Sequence, residues 1–458
     1  MPTPTLAEQL AAFVVLASYH ELSAAAREQL KIRVLDSLGC AIGALDGEPI
    51  AMLRAHLEDF GGTPRCTLIG DGRTAPDRAA LYNSALVRYL DFNDSYLAPG
   101  ETCHPSDNIG AVLAAAEYAV GSGRDLLTAV AVAYQIQCRL SDAAPVRAKG
   151  FDHTTLGSYA VAAGVAKVLG LDAAGIANAV AIAGTAFNAL RVTRTGALSH
   201  WKGLAYPNTA FGGTHAAFLA KRGITGPAEV FEGNKGFMET IAGRFHIDWA
   251  REDLERVRMT ILKKYNAEVH SQATLEGILA LRAETEFRAE DVERIDIATF
   301  GVAFHIIGGG EEGEKVTIRT KEEADHSLPY MVAVAILDGQ VLPAQYAPAR
   351  IRRDDVQQLL RRVVVREDPQ YNARFPAEMP CRIEVTLRDG RRLAVEKTDY
   401  EGFHTRPMPW EAVVKKFDRL SAPHAGDTLR GEIVEAVRRL DDLAVGDLVG
   451  LLARVGHA

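Results

Sequence analysis

The feature that most constrains this chain is a change of hydrophobic period along its 458 residues. From Leu6 to about Phe245, apolar residues recur at helical spacing. Leu30, Val34, Leu38 and Ala41 are one example, with Ser23 placed to cap the helix. Alanine-rich segments follow at 109–120, 126–135, 156–169, 173–187 and 208–220, separated by Gly, Pro or polar residues, and no convincing two-residue alternation interrupts them. After about His270 the period changes. Residues 293–300 alternate as a half-buried strand, 363–365 form a β-branched run, and 382–387 and 392–397 flank Asp389-Gly390, a hairpin turn. Between these, 330–337 and 356–362 read as helices, and helical spacing returns over 410–455. The expected fold is mainly α. A large all-helical domain takes residues 1–267 and 405–458, and a smaller α+β domain, 268–404, is inserted as a lid.

Composition narrows the function. Hydrophobic residues make up 48% and charged residues 24%, the range of a packed globular protein. The formal net charge of -8, without a long basic run, argues against nucleic acid. A negative chain that binds an anion must gather its cations locally, so Lys and His set in apolar surroundings are the residues to trace. Cys40, Cys66, Cys103, Cys138 and Cys381 are scattered, which suits neither a disulfide framework, nor zinc, nor an iron–sulfur cluster. No apolar run reaches the ~20 residues of a membrane span, and residues 1–10 carry Glu8 and no basic segment. A cytoplasmic protein with no cofactor, no metal and no membrane partner is the expectation. Gly308-Gly-Gly310 lacks the strand–helix context of a dinucleotide site.

Three polar clusters precede alanine-rich helices. The first is Asp91-Phe-Asn-Asp-Ser95 with Cys103-His-Pro-Ser-Asp-Asn108; Pro105 suits a first helical position, so His104 should stand at a helix mouth. The second is Gly150-Phe-Asp-His-Thr-Thr155, with His153 just before a helix that Thr154 or Thr155 could cap. The third is Ser199-His-Trp-Lys-Gly203, with Asn208 or Thr209 capping the next helix. Helix N-termini offer unpaired N–H groups and partial positive charge, which suits carboxylates. Each residue alone also reads blandly: His153 as a cap, Asp91 and Asp94 as turn residues, Lys202 as a surface lysine along Trp201. Two further segments, Lys263-Lys-Tyr-Asn-Ala-Glu-Val-His270 and Asp325-His-Ser-Leu-Pro-Tyr330, add two lysines, two imidazoles and two phenols. His326 could equally be a cap and Tyr330 a core aromatic.

Taken together, 90–95, 104–108, 200–203, 264–272, 324–330 and 375–380 resemble motifs of the MmgE/PrpD family, in order and over essentially the whole chain, most nearly those of its 2-methylcitrate dehydratases. The resemblance implies a homodimer, a large helical domain with an α+β lid, and a hydro-lyase that dehydrates 2-methylcitrate, and by extension citrate, without an iron–sulfur cluster. It also carries over a pocket. That pocket is Asp91, His104, His153, Lys202, Lys263 and Tyr330, of which all but Lys263 are expected to be catalytic; Lys263, with Ser95, His270 and His326 from the polar segments themselves, is expected to bind a small tricarboxylate. The expected scheme uses His104 and His153 as the proton-transfer pair, Asp91 to orient an imidazole, Lys202 on a carboxylate and Tyr330 as donor to the leaving hydroxyl. Relatives of the same pattern decarboxylate cis-aconitate or epimerise an iminodisuccinate, and these stay open as alternatives. A non-catalytic helical scaffold is the reading from another class.

Overall fold

The computed structural model describes residues 3–456; Met1 and Pro2, on which the leader reading partly rests, lie outside them. The described chain is mainly α-helical and divides into two compact units. The first comprises residues up to Thr193, Gly203–Thr260, and everything from Pro409 onward; the second comprises Arg194–Lys202 and Ile261–Met408. None of the described helices is long and apolar enough to cross a membrane.

The first unit is a body of buried helices whose small residues let the backbones close up. Ser23 caps Ala24–Gly43 by accepting from the Ala26 N–H at 3.0 Å. The central helices Gly123–Ala143, Thr154–Val168 and Ala173–Ala186 pack in succession. At Gly164 an added Cβ would stand 3.1 Å from both the Ala129 carbonyl and the Ala133 methyl. The chain's C-terminal tail belongs here too: Trp410–Ser421 lies on Ala24–Gly43, and Lys416 reaches the buried Asp36 at 2.7 Å. Two small hairpins, Cys66–Thr67 with Arg73–Thr74 and Tyr96–Ala98 with Glu101–Cys103, depart from the all-helical expectation. Strands this short carry no readable period.

Gly157 positions the candidate site. A Cβ there would stand 2.8 Å from the hydroxyl of the fully buried Tyr206. Gly157→Ala should therefore destabilise the protein by about 2 kcal/mol through overpacking, despite alanine's better helix propensity. Urea unfolding measures it, and an unchanged midpoint would show that Tyr206 yields freely.

The second unit is α+β. Its four-stranded sheet places Val363–Glu367 parallel to Val292–Thr299, which pairs antiparallel with Cys381–Leu387, and that strand with Arg392–Lys397. Asp389-Gly390 makes the expected hairpin, Gly390 at φ 89°. Ile295, Ile297, Ile383 and Val385 form one face of the core, closed by helices Gln272–Thr285, Leu328–Asp338 and Asp354–Leu360. Arg392–Lys397 alternates between exposed and half-buried positions and ends the sheet with charges, as an edge strand should.

Candidate functional site

Within the first unit the polar cluster assembles where the helix Pro76–Tyr89 ends. Asp91 adopts a left-handed backbone at φ 55°, a strained state for a residue with a Cβ. Its carboxylate is held by Arg88 at 2.5 Å, and Arg88 also faces Asp107 at 3.7 Å. Asp94 is fully buried: its carboxylate accepts from the Ser106 N–H at 3.0 Å and from the Tyr134 hydroxyl at 2.8 Å. Burial pushes the Asp94 carboxyl up; Arg33, 3.8 Å away, and the Ser106 and Tyr134 bonds pull the other way without cancelling it. The Asp94 carbonyl, 2.8 Å from Nδ1 of His104, and the Ser95 hydroxyl, 3.0 Å away, fix that imidazole. At Nδ1, then, His104 is held by the residues next to Asp91, the Asp94 carbonyl and the Ser95 hydroxyl.

His104 and His153 meet edge to face, ring centroids 5.4 Å apart at 75°, and both are buried. His153 stands at the N-terminus of Thr154–Val168, but neither threonine caps that helix. Asp152 does so: its carboxylate accepts from the Thr154 N–H at 3.2 Å and lies 3.3 Å from Nδ1 of His153. Glu101, nearly buried, accepts from the Val146 and Arg147 N–H groups. Burial, and then the Asp152 charge, push its carboxyl up to about 7. Behind His153, the Tyr206 hydroxyl donates to Asn108, whose amide donates to Gln137. Tyr134, Gln137 and Tyr206 were not among the residues expected from sequence, while Asn108 and Asp152 stood in the expected polar clusters without a role. A polar side chain inside a uniformly apolar helix, as with Tyr134 and Gln137, was the signal that could have found some of them.

A second cluster lies within the second unit. The helix Trp201–Lys221 starts before the expected caps, so Lys202 sits in its first turn while Asn208 and Thr209 are internal. Lys202 is buried, 2.6 Å from Asp325 and 2.9 Å from Nδ1 of His326, and that nitrogen is 2.8 Å from Asp325. Lys321 reaches the other Asp325 oxygen at 2.7 Å. Burial works against the charge on Asp325, but Lys202 and Lys321 outweigh it and hold the carboxyl well below its ordinary range. Glu268 accepts from the His270 backbone N–H at 2.8 Å and lies 2.7 Å from Nδ1 of His270. Burial opposes its ionisation as well, yet His270, with His326 and Lys263, brings it down to about 2. Lys263 is fully buried.

The expected residues thus fall into two groups, Asp91, Ser95, His104 and His153 in the first unit, and Lys202, Lys263, His270, His326 and Tyr330 in the second. Tyr330 differs from expectation. It is packed in the apolar core of the second unit, and its hydroxyl donates to the Gln345 carbonyl, so the phenol proton is already committed. Burial also pushes its pKa up, which makes it a reluctant acid. All five cysteines are free and buried.

Comparison with known proteins covers nearly the whole chain. The model of the MmgE/PrpD N-terminal domain matches residues 8–250, and that of the MmgE/PrpD C-terminal domain matches residues 265–442. A 2-methylcitrate dehydratase of Salmonella typhi is 29% identical over 423 residues, covering 85% of this chain and 84% of that protein. The Escherichia coli K12 2-methylcitrate dehydratase is 29% identical over 401 residues, 81% of each chain. The cis-aconitate decarboxylase of Mus musculus is 26% identical over 440 residues, 90% of this chain and 86% of that one.

Proposed function

We propose that this chain, which belongs to the MmgE/PrpD family, is a hydro-lyase that removes water from 2-methylcitrate, and from citrate, without an iron–sulfur cluster. The observation that carries the reading is the buried His104–His153 pair, 5.4 Å between centroids, each ring held at Nδ1 by a different kind of partner. Relatives named as 2-methylcitrate dehydratases supply the substrate class. Along the sequence the thiols are scattered, and although Cys103 and Cys138 pack together, an iron–sulfur cluster needs more grouped thiolates than these two, which supports a cluster-free route.

Dehydrating a 3-hydroxy acid removes a weakly acidic proton beside a carboxylate and expels hydroxide. The two imidazoles suit the two tasks. His104 donates from Nδ1 to the Asp94 carbonyl, which leaves the Nε2 lone pair to take the carbon-bound proton. His153 has the Asp152 carboxylate beside Nδ1, which favours the imidazolium, so it protonates the departing oxygen. With its proton on Gln345, Tyr330 supports the fold in this scheme instead of serving as the acid. Lys202 and Lys263, with His270 and His326, bind carboxylates, and charge building on the carboxylate beside the forming carbanion is where fixed cations help most.

Incubation with 2-methylcitrate, citrate and cis-aconitate, following ultraviolet absorbance and released carbon dioxide, tests the reading. The expected result is a new absorbance from the first two substrates and no gas. The mouse relative's name favours a second reading, decarboxylation of cis-aconitate, which predicts carbon dioxide instead. A protein inert toward all three substrates, and unchanged in melting temperature with each at high concentration, would leave the scaffold reading standing.

A further inference from the structure

We infer that Glu101 is a positioning residue for the proton-transfer pair: its carboxyl group clasps the turn that leads into Asp152-His153, and so fixes where His153 stands against His104. The inference rests on the reading above and adds to it a residue that neither the sequence motifs nor that scheme contains.

Glu101 opens the short strand Glu101–Cys103, which pairs with Tyr96–Ala98 and runs straight into His104. One of its carboxyl oxygens accepts from the Val146 N–H at 3.2 Å and from the Arg147 N–H at 3.0 Å. The other accepts from the Thr102 N–H at 3.2 Å. Val146 and Arg147 begin a tight turn that Gly150 closes at φ 87°. The Phe151 N–H returns to the Val146 carbonyl at 3.3 Å, so the residue that Glu101 holds also receives the far end of the turn. Beyond it the Asp152 N–H donates to the Ala189 carbonyl at 2.9 Å, and His153 follows at the N-terminus of Thr154–Val168. One side chain thus joins the two segments that carry the imidazoles.

Glu101 is 3% exposed, and among the described residues every hydrogen bond of its carboxyl group is to a backbone N–H. Of the charges that face it, Asp152 repels and Arg191 attracts, and Arg191 also stands 3.7 Å from Asp152. Protonation leaves the clasp intact, because a carboxylic acid keeps an acceptor oxygen. What the turn needs is an oxygen at this reach, not a charge. His104 is held separately, by the Asp94 carbonyl and the Ser95 hydroxyl. Releasing the turn therefore displaces one imidazole and leaves the other, and a displacement of ~1 Å in a reacting group can cost ~10²-fold in rate.

The test separates reach from charge, with 2-methylcitrate as substrate. Glu101→Asp keeps the acid but withdraws it by one methylene, away from the two N–H groups. Its kcat for elimination should fall at least ~10-fold with KM within about threefold of wild type. Exchange of the carbon-bound proton with deuterated water, which His104 carries out, should stay within about threefold. Glu101→Gln keeps an oxygen at full reach and should hold both rates within about threefold. Elimination at the wild-type rate in Glu101→Asp, or a loss in Glu101→Gln as large as in Glu101→Asp, would overturn the inference. So would exchange that falls in step with elimination in Glu101→Asp, the sign of a general loosening of the fold. A wild-type protein that eliminates water from neither 2-methylcitrate nor citrate overturns the underlying reading, and shows it before any variant is compared.

Discussion

Replacing His104 by alanine should lower turnover of the best tricarboxylate by at least ~10²-fold, the lower end of what a positioned base contributes, while the protein stays folded. The structural cost is modest, because the ring's Nδ1 contacts are to the Asp94 carbonyl and the Ser95 hydroxyl, while the Asp94 carboxylate keeps its bonds to Ser106 and Tyr134. The assignment of base and acid makes a sharper demand. If Nε2 of His104 takes the carbon-bound proton, exchange of that proton with deuterated water, followed by proton NMR, should vanish in His104→Ala along with elimination. In His153→Ala elimination should fall steeply while exchange persists, since the acid acts on the departing oxygen. Equal loss of exchange in both variants would mean that the imidazoles act as one unit. Near-normal turnover in His104→Ala would remove that residue from the chemistry.

What could be read from the amino-acid order, and what could not, follows from the range over which each signal acts. The helices announce themselves because alanine-rich runs repeat over three or more turns, and the hairpin at Asp389-Gly390 because its turn needs a positive φ that Gly390 adopts at 89°. The hairpins at Cys66–Thr67 with Arg73–Thr74 and at Tyr96–Ala98 with Glu101–Cys103 are silent, since strands of two or three residues have no period. Among the candidate residues, His104, His153 and Lys202 stand out as polar interruptions of apolar helices. Their partners do not: nothing local says that Asp94 would anchor His104 through its backbone carbonyl, or that Asp325, over a hundred residues on, would neutralise Lys202. The fate of Tyr330 depended on which face of its helix looked into the core, and on a carbonyl at Gln345 that no motif includes.

The second large effect concerns Glu268, whose carboxyl is held at about 2 against an ordinary value of 4.5. A carboxyl with a folded-state pKa below its unfolded one binds fewer protons when folded, so it stabilises the protein above pH 4.5 and stops doing so as pH falls toward 2. The difference corresponds to about 3 kcal/mol, at roughly 1.4 kcal/mol per pH unit. Glu268→Gln keeps an acceptor for His270 but loses the charge that His270, His326 and Lys263 surround. The variant should therefore be less stable than wild type by about 3 kcal/mol at pH 7, and the gap should narrow steadily from about pH 4.5 and close near pH 2. Urea unfolding of both proteins at pH 7, 5, 4 and 3 measures the gap directly. A gap that stays constant across this range would mean that Glu268 contributes through hydrogen bonding alone. Its closing would show that the charge is what counts, and hence that the cations around His270 are held in place by this carboxylate.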